Sequence, residues 1–355
     1  MKPNNRNLSC WVAFLYPTSE ISIWVNPMLL SKSNLDDRAD RLYDVMIVGG
    51  GAGGLSAGIY LQRFRLSSLI IDKGKARSFW MQELHNYLGL PPDTPGRVLL
   101  QKGKQHYDSL DGDFLNGFVE SVIDEGDSFS VRVKVGRTNS IYPVFRAKYL
   151  IAASGIIDNL PPLEDMKNVY EYAGYNLHVC MVCDGYEMAD KQCGFFAGSE
   201  ASIEEMVFNL SWFTAYITIF THGQFEVSEP LKTQLQEYGY RIVETPIEQF
   251  LGRNHQMTGV QLVDGTIFPL ETGLISMGST YHNAYLQEFN LDRKGGYLVT
   301  DKMGRTSHPR IFAIGDLKVG LNQAIVAAGD GALAATQIWR DLRVPRRWEV
   351  LASTT

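Results

Sequence analysis

The chain has 355 residues, 45% hydrophobic and 20% charged, with 33 glycines and a formal net charge of -6. A chain this long buries a sizeable core and divides into about two domains, and its acidic balance argues against a nucleic-acid surface, which needs Lys and Arg against phosphate. Four cysteines, Cys10, Cys180, Cys183 and Cys193, are too few for a disulfide-stapled secreted fold, so a reducing, cytoplasmic setting is expected.

Residues 1–42 are expected to form a disordered leader. WVAFLYPTSEISIWVNPMLL is broken by Pro17, Glu20, Asn26 and Pro27, so no uncharged run reaches the ~18 to 20 residues of a membrane span. Order is expected from YDVMIVGGGAGGLSAGIYLQRFRLSSLIIDKG, which reads strand, tight turn, helix, strand. Gly49, Gly51 and Gly54 fit a dinucleotide turn: the first permits the bend, the second lets a pyrophosphate approach, and the third lets helix pack on strand. Asp72 ends the second strand, where a carboxylate accepts a hydrogen bond from a ribose hydroxyl.

The stretch HVCMVCDGYE brings Cys180, Cys183 and Asp184 together. Half a zinc site, an inert core pair and a redox dithiol are the three readings. No second C-x-x-C or H-x-x-x-H pair is present to complete a zinc set, so no metal is expected. An inert pair would place Asp184 against an apolar core at high cost. A redox dithiol has a use for that carboxylate, because exchange takes a proton from one thiol and returns it to the leaving sulfur. Cys193, inside CGFFAG, reads as a packed strand residue.

Near the C-terminus, Ile311 to Ile314 forms an apolar strand before Gly315 and Asp316, and a helix opens near Gln323. Such a unit presents Asp316 to a ribityl hydroxyl and the helix N-terminus to a flavin edge. The tail RDLRVPRRWEVLASTT, with Arg340, Arg343, Arg346 and Arg347 near Trp339 and Trp348, reads as a solvated helix end. Weak adsorption to an anionic membrane surface is its other reading.

Over about residues 43 to 340 the sequence resembles the low-molecular-weight thioredoxin reductases. The likeness rests on GGGAGG, HNYLGLP at 85–91, AASG at 152–155, CMVCDG at 180–185, TSHPRIFAIGD and NQAIVAAGDG at 322–331. It implies an α/β fold of two Rossmann-like dinucleotide-binding domains. Residues 43–160 and 281–345 would form a discontinuous FAD domain, residues 161–280 would carry the dithiol, and residues 346–355 would be a tail. It also implies FAD contacts at Ala52, Asn86, Val119, Ala153, Gly155, Gly315, Asp316, Gln323 and Ala324. Cys183 would be the sulfur facing the flavin, Cys180 the exchange thiol and Asp184 the acid/base. The partner would be a dithiol or disulfide protein or a small thiol, and the assembly a homodimer.

The second domain departs from that family. Its turn reads FFAGSEAS, with Ala197, Ser199 and Ser202 at the three glycine positions. Where a basic cluster should grip the 2'-phosphate of NADPH it reads FTHGQFEV, and from Glu200 to Pro230 there are five glutamates and no Lys or Arg. SMGSTYHN at 276–283 also lacks the proline expected after its glycine. NADPH is therefore not expected as the reductant. The sequence here resembles the pyridine-nucleotide-independent, diflavin-linked disulfide oxidoreductases of oxygenic photosynthetic bacteria, which implies a second FAD, with Trp212, Phe213, Tyr216 and Tyr281 as a stacking surface. An ordinary NADPH-dependent thioredoxin reductase, a flavin reductase of the same fold and a non-catalytic flavin-fold module are the competing readings.

Overall fold

The computed structural model describes residues 32–343 apart from Lys75. Order begins before residue 43. Helix α1 (Lys32–Ala39) is held because Leu35 is buried and Arg38 lies 3.4 Å from Asp113. The inner end of the expected leader is thus ordered. Residues 1–31 and the tail, with Cys10, Arg346, Arg347 and Trp348, lie outside the described residues.

Strand β1 (Leu42–Val48) leads through the glycine turn into α2 (Ala52–Arg63) and β2 (Ser68–Asp72). Then come α3 (Gly96–Asp108), β3 (Asp113–Asn116), β4 (Phe118–Asp124), β5 (Phe129–Lys134) and β6 (Val144–Ala152). They form a sheet of order β3-β2-β1-β6-β5-β4, parallel through β3, β2, β1 and β6 and antiparallel beyond. Val45, Met46 and Ile47 are fully buried because both faces of β1 are covered, the pattern of a central parallel strand.

From β7 (Ile156–Asp158) the chain crosses into a second unit. There α4 (Met166–Tyr172), β8 (Leu177–His178) and α5 (Met181–Asp184) precede β9 (Cys193–Ala197), α6 (Glu200–Leu210) and β10 (Ile217–Phe220). Next are α7 (Glu229–Glu237), β11 (Arg241–Val243), β12 (Ile247–Arg253), β13 (Gln256–Leu262), β14 (Ile267–Pro269) and β15 (Thr272–Ser276). The five-stranded parallel sheet has the order β11-β10-β9-β15-β8, and β12-β13-β14 form a separate antiparallel sheet. Strand β16 (Ser279–Tyr281) returns antiparallel to β7, so a two-stranded ribbon joins the units.

Back in the first unit, β17 (Arg293–Lys294) and β18 (Tyr297–Leu298) form a short hairpin. Strand β19 (Ile311–Ala313) then adds to the C-terminal half of β6, and α8 (Ala324–Leu342) packs on α2. The helices meet closely: a Cβ on Gly331 would lie 2.3 Å from the Gly53 carbonyl oxygen. Each unit has its own apolar clusters, as two Rossmann-like domains require. Among the described residues no helix is long and apolar enough to cross a membrane. Trp339, read above as a possible membrane anchor, instead stacks on Phe64 at 4.8 Å.

Candidate active site

The glycine turn after β1 has no room for side chains. A Cβ on Gly54 would sit 1.9 Å from the Gly49 carbonyl oxygen, and one on Gly49, at φ +113, would sit 2.3 Å from the Ala153 oxygen. Helix α2, which begins at Ala52, has Gly51 as its N-cap with no side-chain cap, so its first N–H groups are left for a ligand or solvent. Asp72 accepts from the Gly50 and Gly74 N–H groups at 3.0 and 3.1 Å, and burial pushes its carboxyl up despite both bonds. Across the turn, Ala153 N–H bonds the Val48 oxygen at 2.8 Å and Gly155 holds φ +64. These features fit the adenosine and pyrophosphate half of an FAD.

Gly315, at φ +62, donates to Asp330 at 3.2 Å, and Asp316 lies 3.3 Å from the Arg77 guanidinium. Burial raises the Asp316 carboxyl, against the pull of Arg77. Arg77 also bonds Asp158 at 2.7 and 2.9 Å, so one guanidinium ties the ribbon strand β7 to Asp316. Val119 is a different case. Its side chain is buried in the core, so any cofactor contact there comes from backbone.

Cys180 and Cys183 form a disulfide at the start of α5. The Cys183 N–H donates to Cys180 Sγ at 3.1 Å. Gln323, at the N-cap of α8 in the first unit, points Nε2 at both sulfurs, each at 3.4 Å. Asn86 donates to Gln323 Oε1 at 3.0 Å, which fixes the amide with its nitrogen toward sulfur. Asp184 is held from both sides: His178 Nδ1 lies 3.1 Å from one carboxylate oxygen and His85 Nδ1 3.4 Å from the other. Burial opposes the charged form of His85, but Glu83, Glu187 and Asp184 outweigh it and raise its pKa. The buried thiol of Cys193 is pushed up to about 12, so it is inert beside the disulfide.

Neither histidine was singled out in the sequence. Both lie inside quoted motifs, His85 opening HNYLGLP and His178 opening HVCMVCDGYE, yet no local spacing ties them to Asp184. Arg77 was missed for the same reason.

The second turn, after β9, is built differently from the first. Ser199 caps α6 by accepting the Ser202 N–H, and Ser202 Oγ accepts from the Ser199 N–H. One early N–H of α6, that of Ser202, and the N-cap N–H of Ser199 are thereby taken up by serine hydroxyls, as a capping box does. Beyond β10, His222 accepts the Ile247 N–H at 2.9 Å, and burial lowers its pKa. The nearest cations downstream are engaged: Lys232 pairs with Glu244 at 3.1 Å, and Arg241 lies over the Phe268 ring at 4.5 Å.

The aromatic surface expected beside this turn is not there. Trp212 and Phe213 follow the C-terminal end of α6 and Tyr216 precedes β10, whereas Ser199 is at the N-terminal end of α6. Eleven helical residues separate those ends by roughly 16 Å. Phe213 packs against Gly185 instead, and Tyr281 packs edge-on against Tyr297 at 4.9 Å.

The pyridine nucleotide-disulphide oxidoreductase family matches residues 43–331. The chain is 27% identical over 315 residues to a thioredoxin reductase of Listeria innocua, covering 83% of this chain and 92% of that one. With the thioredoxin reductase of Bacillus subtilis it shares 26% over 311 residues, 84% of this chain and 94% of that protein. It also superposes on the crystal structure of thioredoxin reductase from Streptococcus pyogenes with a TM-score of 0.74 and 24% identity, over 85% of this chain and 98% of that one, a likeness of fold. A glycine cradle for a dinucleotide, a disulfide set against the N-cap of α8 and this family match agree: the chain belongs to the pyridine nucleotide-disulphide oxidoreductase family, as a flavin-dependent disulfide oxidoreductase of thioredoxin reductase type.

Proposed function

We propose that the protein exchanges electrons between one FAD and the Cys180–Cys183 disulfide, that a dithiol or disulfide partner is the other substrate, and that NADPH is not the physiological reductant. The observation that carries the last point is the contrast between two helix N-termini. Helix α2 has no side-chain cap, whereas α6 carries a Ser199/Ser202 capping box with both side chains at the turn where the family has glycines.

Bound FAD supplies a two-electron acceptor and donor. The residues of the chain do the rest. A partner thiolate attacks Cys180 Sγ, the S–S bond breaks, and its electron pair leaves on Cys183 Sγ. The Gln323 amide, 3.4 Å away, stabilises that charge. Attack by the second partner thiol releases the oxidised partner and leaves Cys180 reduced. Asp184 takes protons from incoming thiols and returns them to leaving sulfurs. The assignment of Cys180 to the partner and Cys183 to the flavin follows the family pattern by position.

Loss of two Arg–phosphate contacts, each worth on the order of 1.5 to 3 kcal/mol, weakens NADPH binding roughly a hundredfold or more. A second planar ligand in the space that NADPH would fill is the finer form of this reading. Two measurements test it: flavin counted per chain, and anaerobic bleaching of the flavin by micromolar NADPH compared with dithiothreitol. Slow bleaching by NADPH and full bleaching by the dithiol support the proposal. Rapid stoichiometric bleaching by NADPH with one FAD per chain returns the protein to the ordinary NADPH-dependent reductases.

A further inference from the structure

Three acidic and imidazole side chains beside the disulfide are spaced for a metal. His85 Nδ1 lies 3.4 Å from Asp184 Oδ1 and 3.7 Å from Glu187 Oε2, and the three ligand atoms all fall within 4.8 Å of one another. Both nitrogen–oxygen distances are long for hydrogen bonds. They are close to the edge of a tetrahedron with bonds of about 2.0 to 2.2 Å to zinc, which is roughly 3.3 to 3.6 Å.

The groups outside that triangle are arranged as a metal's outer partners would be. His85 presents its other nitrogen, Nε2, to Glu83 at 3.0 Å, so a carboxylate braces the imidazole. His178 Nδ1 holds the second oxygen of Asp184 at 3.1 Å. Glu187 Oε2 is a buried atom with no hydrogen-bond partner. Among the described residues the ion-pair partners of Glu83, Asp184 and Glu187 are histidines, so three carboxylates face at most two imidazolium charges.

We infer that His85, Asp184 and Glu187 form a divalent-cation site of zinc class, with one open position, that spans the two domains beside the redox disulfide. His85 comes from the loop before α3 in the FAD domain, whereas Asp184 and Glu187 follow Cys183 in the second domain. A bound ion therefore fastens one domain to the other. It also occupies a carboxylate oxygen of Asp184, so it inhibits dithiol exchange. The inhibition rests on the reading of Asp184 as proton carrier; the binding does not.

The test uses untagged, FAD-loaded protein in a Cys10→Ser background, kept oxidised so that Cys180 and Cys183 cannot bind metal. After chelator treatment, Zn²⁺ is added in equilibrium dialysis and counted per chain. One zinc per chain is expected at micromolar free metal, with an X-ray absorption spectrum showing nitrogen and oxygen neighbours and no sulfur. Glu187→Gln and His85→Gln should each weaken binding at least tenfold. Glu83→Gln, which removes only the brace, should weaken it by about tenfold as well, and His308→Gln, at the distant pair with Asp124, should leave it unchanged. FAD content verifies that each variant is folded. Absence of stoichiometric zinc, a sulfur shell, or equal retention by Glu187→Gln and His85→Gln overturns the proposal. Stoichiometric zinc that does not slow dithiol bleaching of the flavin upholds the site and counts against Asp184 as the proton carrier.

Discussion

Ser199 and Ser202 cap each other: Ser199 Oγ accepts the Ser202 N–H at 3.2 Å while Ser202 Oγ accepts the Ser199 N–H at 3.3 Å. The pair is a capping box at the start of α6, so it serves stability. Ser199→Ala should cost about 1 kcal/mol in urea denaturation and leave flavin content unchanged. A loss of flavin on this substitution would tie the second turn to the cofactor.

Gly54 and Gly329 give opposite outcomes for the same change. At Gly54 an added Cβ meets the Gly49 oxygen at 1.9 Å, so Gly54→Ala should displace the turn and abolish FAD retention. Gly329 lies in the exposed interior of α8 with nothing within 4 Å, so Gly329→Ala should keep the flavin and gain roughly 0.5 to 1 kcal/mol. Flavin absorbance per chain after gel filtration measures both.

Replacing Cys180 by Ser leaves Cys183 as a single thiol beside the flavin, and its thiolate should add a long-wavelength absorbance. Adding Gln323→Leu removes the amide donor 3.4 Å from Cys183 Sγ. A hydrogen bond to a charged group is worth about 1.5 to 3 kcal/mol, so the pH midpoint of that absorbance should rise by about one to two units. An unmoved midpoint would show that the amide does not stabilise the thiolate, and a band seen only in Cys183→Ser would reverse the two cysteine roles.

His282 sets a pH limit on stability. Burial, and then the charge of Lys73 beside it, lower its pKa from 6.5 to about 4. The folded protein thus binds fewer protons than the unfolded chain between those values. Stability should be full above about pH 6.5 and fall as the pH drops toward 4, with a slope below ~1.4 kcal/mol per pH unit because His282 is only part-buried. Urea midpoints between pH 4 and 7 should show this slope in the wild type and a flatter one in His282→Gln.

The glycine cradle was legible because sterics act locally: Gly49, Gly51 and Gly54 sit on one turn, and their spacing is the geometry. Cys180, Cys183 and Asp184 were legible as one short run for the same reason. His85 was not, since it meets Asp184 across 99 positions and across two domains. The aromatic residues misled because nearness in sequence was taken for nearness in space. Trp212 is thirteen positions from Ser199, and the run of α6 carries it to the helix's opposite end. Metal ligation was sought only in cysteine pairs and local histidine spacings, which a set drawn from two domains does not produce.

Strand β19 joins β6 only after about 160 intervening residues have been made. At 5 to 20 residues per second a ribosome needs roughly 8 to 32 s to supply them. Throughout that interval the C-terminal half of β6 has an unpaired edge, and α2 lacks the helix that covers it. The second domain emerges whole in the meantime and has every strand of its parallel sheet. The nascent chain therefore completes its disulfide-bearing second unit before its first unit can close, and truncation before residue 311 leaves the first unit with an open sheet edge, a site for aggregation.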